Sequence, residues 1–484
     1  MKKTVLTGIA SFLVAICFSQ TIEQYFEKIR KNEAELTAFI SQMPKGGDLH
    51  NHYSGAVYAE SYFNWLVDAN ASINPNTLET SLNTSLDSPW RQFSIIKRAY
   101  SASQFESLRQ RVLRLYSTKE WDQVHIDARE EHFFATFGNF SVASGLNLFN
   151  GLMELRDRAI AENVSYLEPM LTNIRLRKIS SSLAVMDNKD SIDQYNLQFE
   201  KLLTGRDKQS LNSTLTYLQN AIQGELKGTA DYYDEYVDAA SKQIPVDPRF
   251  KMRFLAFITR TGDPLSTFLN LYAAFYTVHN SRTLIGLNIV APEDNPVSMH
   301  DYWLHMQFFN FCHKAFPDVK YSMHAGELTE SVVQPEELTW HISSAVYDAG
   351  ANRIGHGVDI AYEKNNYELL NYMAKNKIAV EMNLLSNEFI LGVKDDKHPI
   401  MLYKRFNVPI VISTDDPGVS RTSLTEQYVL LVKRYPGISY KDVKTFVYNS
   451  IRYSFLDDGE KESLIKDLDQ RFIAFESYIL KNKS

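Results

Sequence analysis

The sequence predicts a closed (β/α)8 barrel, and three observations carry that expectation. Eight short apolar runs alternate with longer stretches of helical periodicity along most of the 484 residues. Most of these runs are near-continuously apolar, as parallel strands covered on both faces must be. Residues able to carry chemistry stand at or just beyond the ends of four of them, and barrels of this type gather their reactive groups at the C-terminal ends of the strands.

Taken in order, the chain opens with Lys2 and Lys3, an apolar stretch from Val5 to Phe18, and small residues near Ser19 ahead of Gln20. This pattern predicts a signal peptide over residues 1–19 and hence an exported protein. The alternative of a membrane anchor fails on length, since about 14 apolar residues cannot span roughly 30 Å of hydrocarbon. Lipid attachment at Cys17 is disfavoured by Ile16 before it. Once the leader is removed only Cys312 remains, so no internal disulfide can form, which suits a bacterial periplasm or bacterial secretion.

Residues 20–45 form a short N-terminal helical segment. Tyr25, Ile29, Leu36, Phe39 and Ile40 make its apolar stripe, and Pro44, Gly46 and Gly47 end it. One catalytic domain over residues 46–484 follows. Its strand candidates are Gly47–His52, Val164–Met170, Arg253–Arg260, Leu284–Val290, Val319–His324, Asn352–His356, Ile378–Asn383 and Pro409–Thr414. Two connections, 53–163 and 171–252, are too long for ordinary βα loops. They carry helical patterns at Gln104–Tyr116, Leu146–Ala161 and Ser213–Gln223, and a polar surface excursion at Asn70–Ser88. Following the first two strands, they should overhang the active face as a helical cap or as a homodimer contact.

Composition narrows the partners. A net charge of −7 without a basic block argues against nucleic acid, and no later segment holds 18 uninterrupted apolar residues, so no membrane is expected after leader removal. A P-loop and a dinucleotide glycine fingerprint are both absent, so neither ATP nor NAD is expected.

Four motifs carry the chemistry. His50-Asn51-His52 on a strand turns both imidazoles to one face. Alone, such a pair is more often a surface feature; at the end of a first barrel strand it reads as half of a metal site. His324-Ala325-Gly326-Glu327 adds a third imidazole and returns a carboxylate toward it, suited to proton transfer beside a metal-bound water. His356, between Gly355 and Gly357, is either a further ligand or a base and electrostatic partner to the water; the flanking glycines signal close backbone approach. Asp415-Asp416 offers two carboxylates facing opposite ways, one for metal and one for substrate or water. Three histidines and an aspartate suit a hydrolytic zinc centre with room for a water. The HExxH motif is absent, and the cysteine-ligated deaminase type of zinc site is impossible with these cysteines.

In order and spacing these motifs resemble the adenosine deaminase family, and specifically its exported branch, the adenosine-deaminase-related growth factors. The resemblance runs from Met43-Pro44-Lys45-Gly46-Gly47-Asp48-Leu49-His50-Asn51-His52 to Ser413-Thr414-Asp415-Asp416-Pro417. A weaker stretch matches at Ile285 to Asp294. It implies a (β/α)8 barrel binding one Zn²⁺ through His50, His52, His324 and Asp415. It also implies hydrolysis of adenosine or 2′-deoxyadenosine to the inosine nucleoside plus ammonia. In that scheme Glu327 protonates purine N1, His356 helps deprotonate the attacking water and stabilises its oxygen, and Asp416 holds N7.

The departures bear on substrate. The family often has glycine where Ala291 stands, its backbone approaching purine N3, and the cytosolic branch has aspartate near the ribose where Ser54 stands. Glu168, at the end of the second expected strand, is the candidate ribose contact; its alternative is a salt-bridged rim residue. Glu293 and Asp294 either shape the purine pocket or cap a turn. The cysteine-bearing receptor-binding insertion of animal relatives is not evident. A deaminase of another aminopurine or amino-heterocycle is the second reading. A non-catalytic nucleoside-binding protein is the third, and the intact Glu327 and metal ligands count against it.

Overall fold

Eight parallel strands alternate with helices and close into a ring: β1 (Lys45–His52), β2 (Val164–Asn173), β3 (Phe254–Thr259), β4 (Leu284–Val290), β5 (Ser322–Ala325), β6 (Arg353–His356), β7 (Ala379–Met382) and β8 (Ile410–Ile412). The computed structural model describes residues 22–83, 85, 87–121, 128–177 and 189–482; the expected leader over 1–19, with Cys17, lies outside them. The first four strands pair in chain order, as do the last four. Two single parallel bridges join the halves, Leu287 with Tyr321 and Asn51 with Asp415.

The second of these seams matters most, because it is made by site residues. His52 N donates to Asp415 O at 3.0 Å and Asp415 N donates to His50 O at 2.8 Å. The Asp48 carboxylate reinforces it, accepting from the Thr414 backbone N–H at 3.2 Å and pairing with the Thr414 hydroxyl. Asn51 Nδ2 adds a bond to Thr414 Oγ1 at 3.1 Å.

The N-terminal segment is two helices where the sequence suggests one. A helical stretch at 22–29 gives way to α1 (Glu33–Gln42), because Asn32 caps the second helix, its side chain accepting from Ala34 N and Glu35 N. Ile29, Leu36, Phe39 and Ile40 are buried as the stripe requires. The first insertion carries a small antiparallel sheet of Ser72–Ile73, Thr80–Ser81 and Arg91–Gln92, the first two strands within the expected surface excursion and the third just past it. It continues through α2 (Arg129–Asn139) and α3 (Leu148–Ala161). The second insertion ends in α4 (Lys208–Gln243), which packs along the barrel helix α5 (Pro264–Asn280).

Helix starts obey local chemistry. Asp263 and Asn295 cap α5 and α6 (Pro296–Ala315), each followed by proline at the first helical position, where its missing N–H costs nothing. Cys312 lies buried in α6, and burial pushes its thiol well up. Among the described residues no helix is long and apolar enough to cross a membrane.

Removing the Asp48 carboxylate would leave the Thr414 N–H and hydroxyl buried without their partner. Asp48→Ala should therefore cost about 1–3 kcal/mol of stability, read as a lower urea midpoint with an unchanged slope.

Candidate active site and metal centre

The strand ends bring four donor atoms together. His50 Nε2 is 3.1 Å from His324 Nε2, and His52 Nε2 is 3.2 Å from the same atom. Asp415 Oδ1 stands 3.5 Å from His50 Nε2 and 3.3 Å from His52 Nε2. Donors around a tetrahedral cation at 2.0–2.2 Å are separated by about 3.3–3.6 Å. The cluster therefore fits a divalent metal of that class, with the two edges at His324 slightly tight. His356 Nε2 is set back, 3.8 Å from Asp415 Oδ2, although the ring lies close enough to share a donor cluster with His50, His324 and Asp415.

The charge of the cluster agrees with a cation. Burial opposes a proton on His50, yet Asp415 and Glu381 outweigh it and lift that imidazole to about 10. Burial, reinforced by His50, drives His324 well below its ordinary range and His356 down to about 3. The buried carboxylates that favour a positive charge on His50 would favour a bound cation for the same reason.

Neighbours fix which nitrogen each ring presents. His50 Nδ1 meets Glu381 Oε2 at 2.8 Å, and His324 Nδ1 meets Asn288 Oδ1 at 3.0 Å, leaving both Nε2 atoms facing inward. Glu381 is held in turn by Arg353 and by Ser322 Oγ at 3.0 Å. Burial pushes its carboxyl up, but Arg353 and His50 prevail and hold it at about 2. Close packing adds to this. A Cβ at Gly355 would stand 2.8 Å from His50 Cε1, and one at Gly55 would strike the Asp416 carboxylate.

Two acids are left uncommitted. Glu327 Oε1 and Asp416 Oδ1 are buried without hydrogen-bond partners. Burial foremost, then Asp415, pushes both carboxyls well above the usual range. Glu327 is aimed by its backbone: Glu293 accepts from Gly326 N at 3.1 Å and Glu327 N at 2.8 Å, and also pairs with His341 Nδ1 at 2.7 Å. Glu293 thus anchors a turn. His356, Asp415 and Ala291 have positive φ values of 70°, 64° and 89°, a strained conformation for side-chain-bearing residues and one that clusters at functional sites.

These groups open into a cavity of about 320 Å³. Its polar floor is His52, His324, Glu327, His356, Asp415 and Asp416, and its wall includes Ser54 and Ala291. Phe133, Phe134 and Phe137 of α2 form an apolar roof, with Phe257 of β3 and Ile390 of α7 (Leu384–Leu391) beside them. The first insertion thus overhangs the cavity.

Glu168 is not brought there, which corrects the expectation of a ribose contact. Its strand runs on to Asn173, so the residue lies inside β2 rather than at its rim. It is fully buried, and its oxygens are taken by Tyr166 Oη at 2.8 Å, Phe455 N at 2.7 Å and Arg353 Nη2 at 2.6 Å. Reasoning from sequence also missed Glu381, Asn288 and the three roof phenylalanines. A lone acid inside the apolar run Ile378–Asn383 was the available signal for Glu381, since a buried charge requires a partner.

Glu381→Gln keeps the shape but removes the charge behind His50. Metal affinity should fall about 10- to 100-fold, measured by competition with a chromogenic chelator.

Comparison with known proteins places the chain. The adenosine deaminase family model matches residues 220–471. The adenosine deaminase of Aliivibrio fischeri is 31% identical over 148 residues, covering 30% of this chain and 41% of that protein. That of Shewanella denitrificans is 25% identical over 294 residues, 60% of this chain and 81% of the relative. The chain thus spans under half the length of the first relative and most of the second. Among solved structures, the Arabidopsis N6-mAMP deaminase superposes with a TM-score of 0.53 at 18% identity, covering 90% of this chain and 99% of the other. A zinc-bound amidohydrolase from Burkholderia ambifaria reaches 0.50 at 17% identity, covering 92% and 95%. These two likenesses speak to the fold, and the matched family model covers more than half of the sequence: the chain belongs to the adenosine deaminase family.

Proposed function

We propose that this chain hydrolyses the 6-amino group of adenosine or 2′-deoxyadenosine, releasing ammonia and the inosine nucleoside, with Zn²⁺ held by His50, His52, His324 and Asp415. The observation that carries the reading is the pairing of this donor cluster with two orphaned, protonation-prone acids, Glu327 and Asp416, on the floor of one cavity. What a divalent cation supplies at such a site is a water acidic enough to act as nucleophile at neutral pH.

The chain's own residues do the rest. Glu327, kept protonated by burial, gives its proton to purine N1 and so makes C6 electrophilic. Asp416, likewise kept protonated, donates to N7 and fixes the ring plane. His356 serves the attacking oxygen, and the C6–N bond breaks as the new C6–O bond becomes a carbonyl. The phenylalanine roof covers the base and lowers the local dielectric, which strengthens each of these contacts.

Two features bear on which substrate enters. The cavity lining contains no lysine or arginine among the described residues, so a substrate phosphate would have no counter-charge; this favours a nucleoside over a nucleotide. Ser54 and the left-handed Ala291 shape the wall, and they keep another aminopurine as the second reading.

Absorbance of the zinc-loaded protein with adenosine, adenine and AMP in parallel tests the reading. Rapid, chelator-sensitive loss of the adenosine band alone is the expected result; turnover of AMP or adenine instead would reassign the substrate. Glu327→Gln should keep metal and fold while lowering kcat about 10²- to 10⁴-fold. Near-normal turnover in that variant would remove Glu327 from the mechanism.

A further inference from the structure

The Asn387 carboxamide stands between two imidazoles, and its two ends are not interchangeable. Its Nδ2 lies 2.9 Å from His356 Nδ1, and its Oδ1 lies 3.2 Å from His398 Nε2. His398 Nδ1 in turn meets the Ile400 backbone N–H at 3.3 Å. All three side chains are buried, so bulk solvent does not compete for these atoms.

Donor counting sets every direction in this chain. A backbone amide only donates, so His398 Nδ1 is an accepting nitrogen. Burial and the nearby Arg434 hold His398 at about 3, so the ring is neutral and its one proton sits on Nε2. That N–H donates to Asn387 Oδ1, which turns the amide nitrogen toward His356. An amide nitrogen also only donates, so His356 Nδ1 accepts and the ring's proton is on Nε2.

Other neighbours do not contest the assignment. Glu327 Oε1 is 3.3 Å from His356 Nδ1 but makes no hydrogen bond there. Asn383 Nδ2 is 3.5 Å from both ring nitrogens and so selects neither. The strained backbone of His356, with φ of 70°, then delivers Nε2 toward the ligand cluster.

We infer that Ile400, His398 and Asn387 lock His356 as its Nε2–H tautomer, so that in the deamination proposed above the ring is a hydrogen-bond donor to the attacking oxygen and not the base. Asn387 and His398 are positioning residues acting through His356. Protons balance without a histidine base. Glu327 gives its proton to N1, and the resulting carboxylate takes the first proton of the water as its oxygen bonds to C6. The second proton of the water passes from that oxygen to the departing amino nitrogen, which leaves as ammonia.

The metal-loaded full chain, labelled with ¹⁵N only at histidine and compared with His356→Gln for assignment, reports the tautomer directly. The expected spectrum shows His356 protonated at Nε2 and bare at Nδ1. Asn387→Asp offers only acceptors, so it should move the proton to Nδ1. It should also lower kcat about 100-fold while KM shifts less than about threefold, the cost of losing one donor to a developing oxyanion. His398→Gln retains an N–H donor and should keep both tautomer and turnover, whereas His398→Leu should lose them. A wild-type spectrum with Nδ1 protonated overturns the inference, as does an Asn387→Asp enzyme whose proton moves while kcat does not. Should Asn387→Asp fail to fold, the wild-type spectrum and the His398 pair decide. The spectrum needs no substrate, so a protein with the expected tautomer and no turnover of any aminopurine would refute the deaminase reading and leave the lock standing.

Discussion

The barrel closes on its own reactive residues. The seam between β8 and β1 is a single bridge from Asn51 to Asp415, and the backbone bonds flanking it belong to His50, His52 and Asp415. Three of the four proposed metal ligands are therefore placed by the same hydrogen bonds that complete the sheet. Their side-chain separations follow from strand register, which packing across the whole ring determines. Asp48 and Thr414 tighten this junction from below. A bound cation and a closed barrel thus stabilise each other, since each holds the ends of β1 and β8 together.

Beneath the ligands lies a line of buried charge. Arg353 is almost wholly buried, stacks 3.7 Å from the Phe455 ring centroid, and is gripped by Glu168 and Glu381. One guanidinium between two carboxylates leaves a net negative charge in the core, and Glu381 presents it to His50 Nδ1. Pairs of this kind are weak sources of stability because desolvation offsets their attraction. Their value here lies in orientation: the fork geometry of Arg353 fixes Glu381, and Glu381 fixes the ring of His50.

The eight strands were legible because parallel strands buried on both faces must be apolar throughout, and each expected run overlaps a real strand. Four reactive motifs at strand ends were legible for the related reason that polar residues there have few structural duties. The edges were less so. β2 runs past Met170, and that small extension moved Glu168 from an expected rim into the core. Tertiary partners such as Glu381 with His50, or Asn387 with His356, join residues far apart in sequence, and no local periodicity encodes them. The roof phenylalanines of α2 resembled ordinary helix packing, because an apolar face over a cavity and one over a core have the same spacing.

Cys312 gives the fold a quiet property of a different kind. It is the only cysteine among the described residues, it is fully buried within α6, and burial keeps it a thiol rather than a thiolate. A thiol-specific reagent therefore meets no reactive sulfur on the intact body of the described structure. Labelling at this position proceeds only as often as α6 lifts from the barrel wall, so its rate measures the opening of that wall under native conditions.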